Sequence, residues 1–280
     1  MLKVAMTGGD GLVGSRIVEL LGNDFRFENF PQVRMDITDK QKVADALNSS
    51  DFDVFLHLAA YTNVAGAESN KELTYKINRD GTSNVFDTVT EKKRKFIYVS
   101  TDFVFDGKNP PYFEDSPPSP SGTYADSKYQ GEKVVDGGGM IVRISYPYRA
   151  KFDAKRDFYR TFKAYLSEGK PLTMITDSLM TPTFIDDIAY GLKYLINNYS
   201  PEIFHLVGPR SLSPYDAAMM VADKFKLDKS LIGKTTYVAY SKSKPGLPRL
   251  AEIKSKKNDF HKMRSFEEGL TVIEKQTLKI

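Results

Sequence analysis

Thr101, Tyr124 and Lys128 are the residues of this chain whose types and spacing could do chemistry on a carbonyl or an alcohol. Tyr124 and Lys128 stand four apart, which places them on one face if the segment is helical. A free tyrosine has a pKa of about 10 and exchanges protons poorly at neutral pH, so a lysine ammonium one turn away is expected to favour the phenolate. A hydroxyl from Thr101 would then fix a substrate oxygen between itself and the phenol. Taken alone the Tyr-x-x-x-Lys spacing is a weak signal, because both residues are common and most such pairs form a solvated helix face. The surrounding elements give it meaning.

Lys95 to Val99 is a β-branched and aromatic run that reads as a buried parallel strand, delivering Ser100, Thr101 and Asp102 to its carboxyl end. Ligands of open α/β sheets sit at that edge. Pro117, Pro118 and Pro120 forbid helix, and a helical pattern then runs from about Thr123 through Tyr124, Lys128 and Val134.

The amino terminus carries a second signal. An apolar strand, Leu2 to Met6, leads into Thr7-Gly8-Gly9-Asp10-Gly11-Leu12-Val13-Gly14 and then an apolar-periodic helix through Ile17, Leu20 and Leu21. Strand, glycine turn and helix form the setting a dinucleotide-binding fingerprint requires. Gly8 allows the tight turn, Gly11 lets the backbone approach a pyrophosphate, and Gly14 lets the helix pack closely. The helix N-terminus would receive the phosphates.

Phe25 to Phe30 reads as the second strand. Glu28 lies twenty residues after Gly8, where an acid accepts the ribose hydroxyls of NAD, while Arg26 and Arg34 flank it and could hold a 2′-phosphate; NADPH and NADH both stay open. Asp39 suits a helix N-cap and Asp36 could reach the adenine. Asp53 to Ala60 is a buried strand ending in small residues where backbone would pass close to a cofactor. His57 within it reads as a satisfied core histidine. Asn70 to Lys93 is helical in pattern, and Asn78 inside it faces solvent or bonds to the strand ends.

Met140 to Ile144 gives another strand, whose continuation Ser145-Tyr146-Pro147-Tyr148-Arg149 lies near the expected nicotinamide. Strands alternating with helices predict an α/β, doubly wound parallel Rossmann sheet. Residues 1–148 are expected to form the dinucleotide-binding domain, with 178–208 returning to it, and 149–177 with 209–280 a smaller carboxyl-terminal lobe. Asp157 to Ser167, Ile185 to Asn197 and Pro214 to Phe225 read as helices and Ile203 to Val207 as a strand. Lys224 to Lys257 is lysine-rich, the pattern of a solvated face, although Lys244 and Arg249 beside Pro245-Gly246-Leu247-Pro248 could bring cations to a substrate diphosphate.

Composition narrows the classes. The 280 residues contain no cysteine, which excludes disulfides and a thiol nucleophile, and only three histidines with no two close in sequence, so no metal site is expected. A formal charge of +4 is no nucleic-acid signature. With a strand almost at Met1 and no apolar run of ~20 residues, neither a signal peptide nor a membrane association is expected, and the protein reads as cytoplasmic. A homodimer is compatible with all of this.

Together, Thr7 to Gly14, Leu58-Ala59-Ala60-Tyr61-Thr62, Ile77-Asn78, Ser100 to Gly107, Tyr124 to Lys128 with Gly131-Glu132, Val142-Arg143, Thr181-Pro182-Thr183 and His205-Leu206-Val207-Gly208 resemble the extended short-chain dehydrogenase/reductases, and within them the dTDP-4-dehydrorhamnose reductases. The resemblance spans positions 1 to about 210. It implies a Rossmann domain binding NADPH or NADH through Gly8, Gly11, Leu12, Val13, Gly14, Glu28, Asp36, Ile37, Leu58, Ala59, Ala60, Tyr61, Asn78, Ser100, Tyr124 and Lys128. It also implies a catalytic triad of Thr101, Tyr124 and Lys128, and a nucleotide-sugar substrate whose 4-keto group is reduced, met by Thr101, Asp102, Tyr146, Lys244 and Arg249. Three places depart from the family pattern: Ala65-Gly66 replace an aspartate and a lysine, Tyr146 replaces a tryptophan, and the loop around Lys244 is altered. The resemblance also admits a sugar-nucleotide epimerase or dehydratase, and a non-catalytic NADP-binding subunit similar to the regulatory subunit of methionine adenosyltransferase.

Overall fold

The structure is a computed structural model that describes residues 1–242 and 246–278. The chain begins with β1 (Lys3–Thr7), α1 (Gly14–Leu21), β2 (Arg26–Asn29), α2 (Lys40–Asn48) and β3 (Val54–His57). Two short helices, α3 (Val64–Ser69) and α4 (Lys71–Tyr75), a π-helical segment Lys76–Gly81 and α5 (Thr82–Glu91) precede β4 (Lys95–Thr101). Then come α6 (Thr123–Val135), β5 (Met140–Ile144), β6 (Pro147–Tyr148), α7 (Phe158–Ser167), β7 (Leu172–Ile175), β8 (Thr183–Phe184), α8 (Ile185–Asn197) and β9 (Ile203–His205). The remainder holds α9 (Pro214–Phe225), β10 (Ile232–Thr235), α10 (Tyr237–Ser241) and α11 (Phe266–Thr277).

Six strands form one parallel sheet in the order β2-β1-β3-β4-β5-β9, as the strand–helix alternation predicts. Its strands are apolar on both faces because helices cover both. Val4, Met6, Val54, Leu56 and Ile97 face α1 and α8, while the alternate residues Ala5, Phe55, Phe96 and Tyr98 face α2, α5 and α6. The order reverses between β1 and β3, so their carboxyl ends open a crevice.

A second core lies beyond the sheet, where Tyr148, Tyr159, Phe162, Phe184, Phe266 and Leu270 pack with α9 and the small β7–β10 sheet. Hydrogen bonds to two buried carboxylates tie this lobe to the sheet. Asp186 at the start of α8 receives Arg16 of α1 at 2.7 Å and Gln276 of α11 at 2.9 Å, and Asp187 is held by the backbone N–H of Arg264 at 2.7 Å.

The segment from 70 to 93 is helical, as its pattern predicts, but it widens to a π turn at Lys76–Gly81, which carries the buried Asn78. An inserted residue of this kind re-aims one side chain without ending the helix. Here it aims Asn78 at the loop that follows β3.

Candidate active site

The glycine turn is built from close backbone contacts. Gly8 has φ +68°, which glycine adopts without strain, and a side chain on Gly14 would come within 2.1 Å of the Gly8 carbonyl. That packing leaves the start of α1 bare: no side chain caps it and no acid lies in its first turn. Ser15 N and Arg16 N donate to the Gly11 and Val13 carbonyls at 3.0 and 3.1 Å, so among the described residues the N–H groups left for an anion are those of Leu12, Val13 and Gly14. Asn29, at the carboxyl end of β2, accepts from Gly9 N at 3.0 Å and steadies the turn.

Helix α6 is set by three contacts. The buried pair Arg143–Glu132 joins it to β5 with two hydrogen bonds of 2.9 and 2.7 Å. Gly131 lets it approach the sheet, since a side chain there would lie 2.3 Å from the Tyr98 hydroxyl. At its start, where Gly122 offers no cap, Glu68 of α3 accepts from Thr123 N at 2.6 Å and from Thr123 Oγ1 at 2.9 Å. Glu68 thus fixes the residue next to Tyr124. Neither periodicity nor spacing marks it, because the cap comes from 55 residues away.

Between β4, α6 and the glycine turn lies a cavity of about 580 Å³. Gly8, Gly11, Leu12, Val13, Gly14, Leu58, Ala59, Ala60, Ser100, Thr101, Asp102, Tyr124, Lys128 and Tyr146 line it, so the fold brings these sequence candidates together. The Ser100 hydroxyl is buried there without a partner. An orphaned buried hydroxyl is costly unless a ligand completes it.

Other candidates lie elsewhere. Glu28 pairs with Ala5 in the sheet, one residue short of the edge, so its side chain falls on the face opposite Asn29; Ser50 and Arg34 each donate to it at 2.5 Å. Asp36 accepts from Thr38 N and Oγ1 at 3.0 and 2.8 Å, and Ile37 is buried against Gly81. None of the three lines the cavity. Asn78 does not line it either but braces its wall, accepting from Tyr61 N at 2.7 Å and donating to Ser127 Oγ at 2.9 Å. Tyr61 enters through that backbone clasp. His57 is a satisfied core residue between Thr7 and Thr82, its pKa pushed down to about 3 by burial.

The Tyr124–Lys128 electrostatics differ from the sequence expectation. Burial pushes the Tyr124 phenol up to about 12, and the Thr101 side chain offsets this only partly. Lys128 donates to the Val99 carbonyl at 2.9 Å and sits 4.0 Å over the Tyr98 ring, so its charge is spent on the strand and not on the phenol. Burial lowers it to about 7, with Glu132 pulling the other way. A protonated phenol is an acid, suited to donating to a carbonyl oxygen. Asp102 is 2% exposed, receives Ser145 Oγ at 2.8 Å and Thr101 Oγ1 at 3.2 Å, and forms no ion pair among the described residues; burial raises it to about 7.

Tyr146 divides the main cavity from a second one of about 260 Å³, walled by Phe158, Met174, Tyr237, Tyr240 and Pro248. Tyr146 has φ +38°, unusual for an aromatic residue, which turns its ring between the two. Among the described residues no charged side chain lines the second cavity. Arg249 lines neither: it donates to the Asp177 carbonyl at 3.0 Å and to its carboxylate at 2.9 Å. Lys244 lies outside the described residues. Of the departures from the family pattern, Gly66 is taken up locally, its N–H donating to Asn63 at 2.9 Å to cap α3.

Comparison with known proteins bears on this geometry. The sequence profile of the family described as RmlD substrate binding domain matches residues 2–278. The chain is 29% identical over 244 residues to the probable low-salt glycan biosynthesis reductase Agl14 of Haloferax volcanii, covering 81% of each protein. It is 28% identical over 245 residues to the dTDP-4-dehydrorhamnose reductase of Aggregatibacter actinomycetemcomitans, covering 82% of each. Among solved structures, the dTDP-4-dehydrorhamnose reductase of Bacillus anthracis, in complex with NADP, superposes with a TM-score of 0.91 at 27% identity, over 98% of this chain and 99% of that one.

Proposed function

The chain belongs to the RmlD substrate binding domain family, and from that premise we propose that it is an NAD(P)H-dependent reductase acting on the 4-keto group of a nucleotide-linked deoxy-sugar, converting dTDP-4-dehydrorhamnose to dTDP-L-rhamnose. The observation that carries this reading is the convergence of a protonated Tyr124 phenol, the Thr101 hydroxyl and the glycine turn on one cavity. The residues present fit a dinucleotide. The bare start of α1 and the Gly11 backbone suit its pyrophosphate, and the orphaned Ser100 hydroxyl offers a hydrogen bond deeper in the cleft. When bound, the dinucleotide supplies a hydride to the carbonyl carbon.

The chain's own groups do the rest. Tyr124 donates its proton to the carbonyl oxygen, and Thr101 holds that oxygen in place. Lys128, which lines the cavity and donates to the Val99 carbonyl, would hold the ribose of the cofactor. Tyr146 and the apolar second cavity behind it receive the flat, uncharged part of the substrate, its base. In this reading the dinucleotide lies on 1–148 and the sugar nucleotide against the carboxyl-terminal lobe.

The test supplies purified protein with NADPH or NADH and dTDP-4-dehydrorhamnose generated in situ, and follows reduced-nicotinamide absorbance. Oxidation is expected, and Tyr124→Phe should keep cofactor affinity while turnover falls by at least ~10²-fold. No oxidation with any 4-keto sugar nucleotide, by a protein that binds NADP and co-purifies with a stoichiometric partner, would replace this reading with a regulatory one.

A further inference from the structure

Residues 150–156, between β6 and α7, cross the mouth of the main cavity as a strap pinned at both ends. At the first end the buried Arg149 donates to Ser15 Oγ at 2.9 Å and to Glu19 at 2.8 Å, both on α1. At the other, Asp157 accepts from Arg149 N at 3.2 Å and from Arg160 Nε at 2.9 Å, which closes the strap on itself. Arg160 also donates to the carbonyls of Phe152 and Lys155, so the strap's backbone is fixed from within.

Three exposed cations ride on it, and they are not equivalent. Lys151 and Arg156 line neither the main cavity nor the second one. Lys155 lines the main one, as Gly11 and Leu12 do, and reaches across the cleft to Thr62 Oγ1 at 3.2 Å. Thr62 belongs to the loop after β3, so this contact bridges the two sides of the crevice. A neutral hydroxyl is a weak partner for an ammonium, and among the described residues no acid forms an ion pair with Lys155.

We propose that Lys155 is a dinucleotide-binding residue: the strap holds its ammonium over the glycine turn, where it closes on the diphosphate bridge of the cofactor. The proposal rests on the dinucleotide reading above. A diphosphate at the glycine turn would meet the backbone N–H groups of Leu12, Val13 and Gly14, and Lys155 supplies the counter-charge from the strap. Because the strap is preorganised by Arg149, Asp157 and Arg160, closing costs little more than the side-chain freedom of one lysine. Its effect belongs chiefly to release of the cofactor, since the cleft must reopen at Lys155 and Thr62 before the diphosphate leaves.

The experiment compares the full chain with Lys155→Met and Lys155→Arg, measuring affinity by nicotinamide fluorescence and release by stopped-flow displacement. Lys155→Met should weaken NADPH roughly tenfold, mostly through faster release, and should weaken NADH and ADP-ribose by the same factor, because all three carry the diphosphate. Lys155→Arg should stay near the parent, and the difference should shrink as salt rises. The side chain is exposed, so thermal melts should coincide. Unchanged release from Lys155→Met overturns the proposal while leaving the reductase reading intact. So does a loss confined to NADPH, which would mean a 2′-phosphate contact, or one confined to dTDP, which would mean the substrate's diphosphate. A parent protein that binds no dinucleotide sinks both.

Discussion

The two ends of the cleft are built by different means. At the glycine turn the contacts are made by backbone: Gly8, Gly9 and Gly14 lie so close that side chains are excluded, and among the described residues the N–H groups of Leu12, Val13 and Gly14 are left without a partner. At the other end, around Tyr146, the walls are side chains from α7, β7 and the segment after it, α10 and the loop at Leu247 and Pro248. The first kind of site tolerates almost no change in residue type and constrains where its residues sit in the chain. The second tolerates many changes, because an aromatic wall can be supplied from several elements, and substrate preference can drift there while the cofactor end is preserved.

The largest expected effect tests the backbone end. Gly14→Val places a side chain within 2.1 Å of the Gly8 carbonyl and 2.8 Å of Gly9 Cα, so the turn must move. NADPH affinity should fall at least ~100-fold and stability by about 1–3 kcal/mol, read by calorimetry and thermal melts. At Gly11 a side chain would approach only the Gly8 carbonyl, at 3.2 Å, so Gly11→Val should spare folding and lose binding. Equal losses of stability at Gly11 and Gly14 would erase the distinction between packing the turn and approaching the diphosphate.

A smaller effect is expected at the side-chain end. Tyr146→Gly relieves the positive φ and removes the ring between the cavities. Sugar-nucleotide KM should rise roughly tenfold with NADPH affinity unchanged. If cofactor affinity falls in parallel, the two ends are not independent.

The smallest effect concerns Asp102, which lies where the two ends meet. Its folded pKa is raised from an unfolded value of about 4 to about 7, so the proton it holds stabilises the fold at low pH, and that stability is lost as pH rises through about 7. Asp102→Asn cannot ionise. Its stability relative to the parent should therefore be near zero at pH 5 and favourable by about 1–2 kcal/mol at pH 8.5, measured by urea unfolding. A pH-independent difference would mean that the carboxylate is compensated in a way the Ser145 and Thr101 hydrogen bonds do not explain.

What the amino-acid order determined by itself was local and periodic. The parallel sheet, the glycine turn and the face shared by Tyr124 and Lys128 follow from alternation and spacing, and these act over a few residues. Register already exceeded that reach: Glu28 and Asn29 are neighbours in sequence, yet the pairing of β2 with β1 sends one to Ser50 and the other to Gly9. The tertiary structure alone decided the electrostatics and the second layer. Lys128 is four residues from Tyr124, yet its ammonium goes to Val99, and burial, which no spacing encodes, sets both pKa values. Glu68, Asn78, Lys155 and the Arg149–Asp157–Arg160 clasp act across gaps of up to 137 residues or within an irregular strap. Such contacts depend on where the folded chain returns to itself, and that is a property of packing that periodicity does not carry.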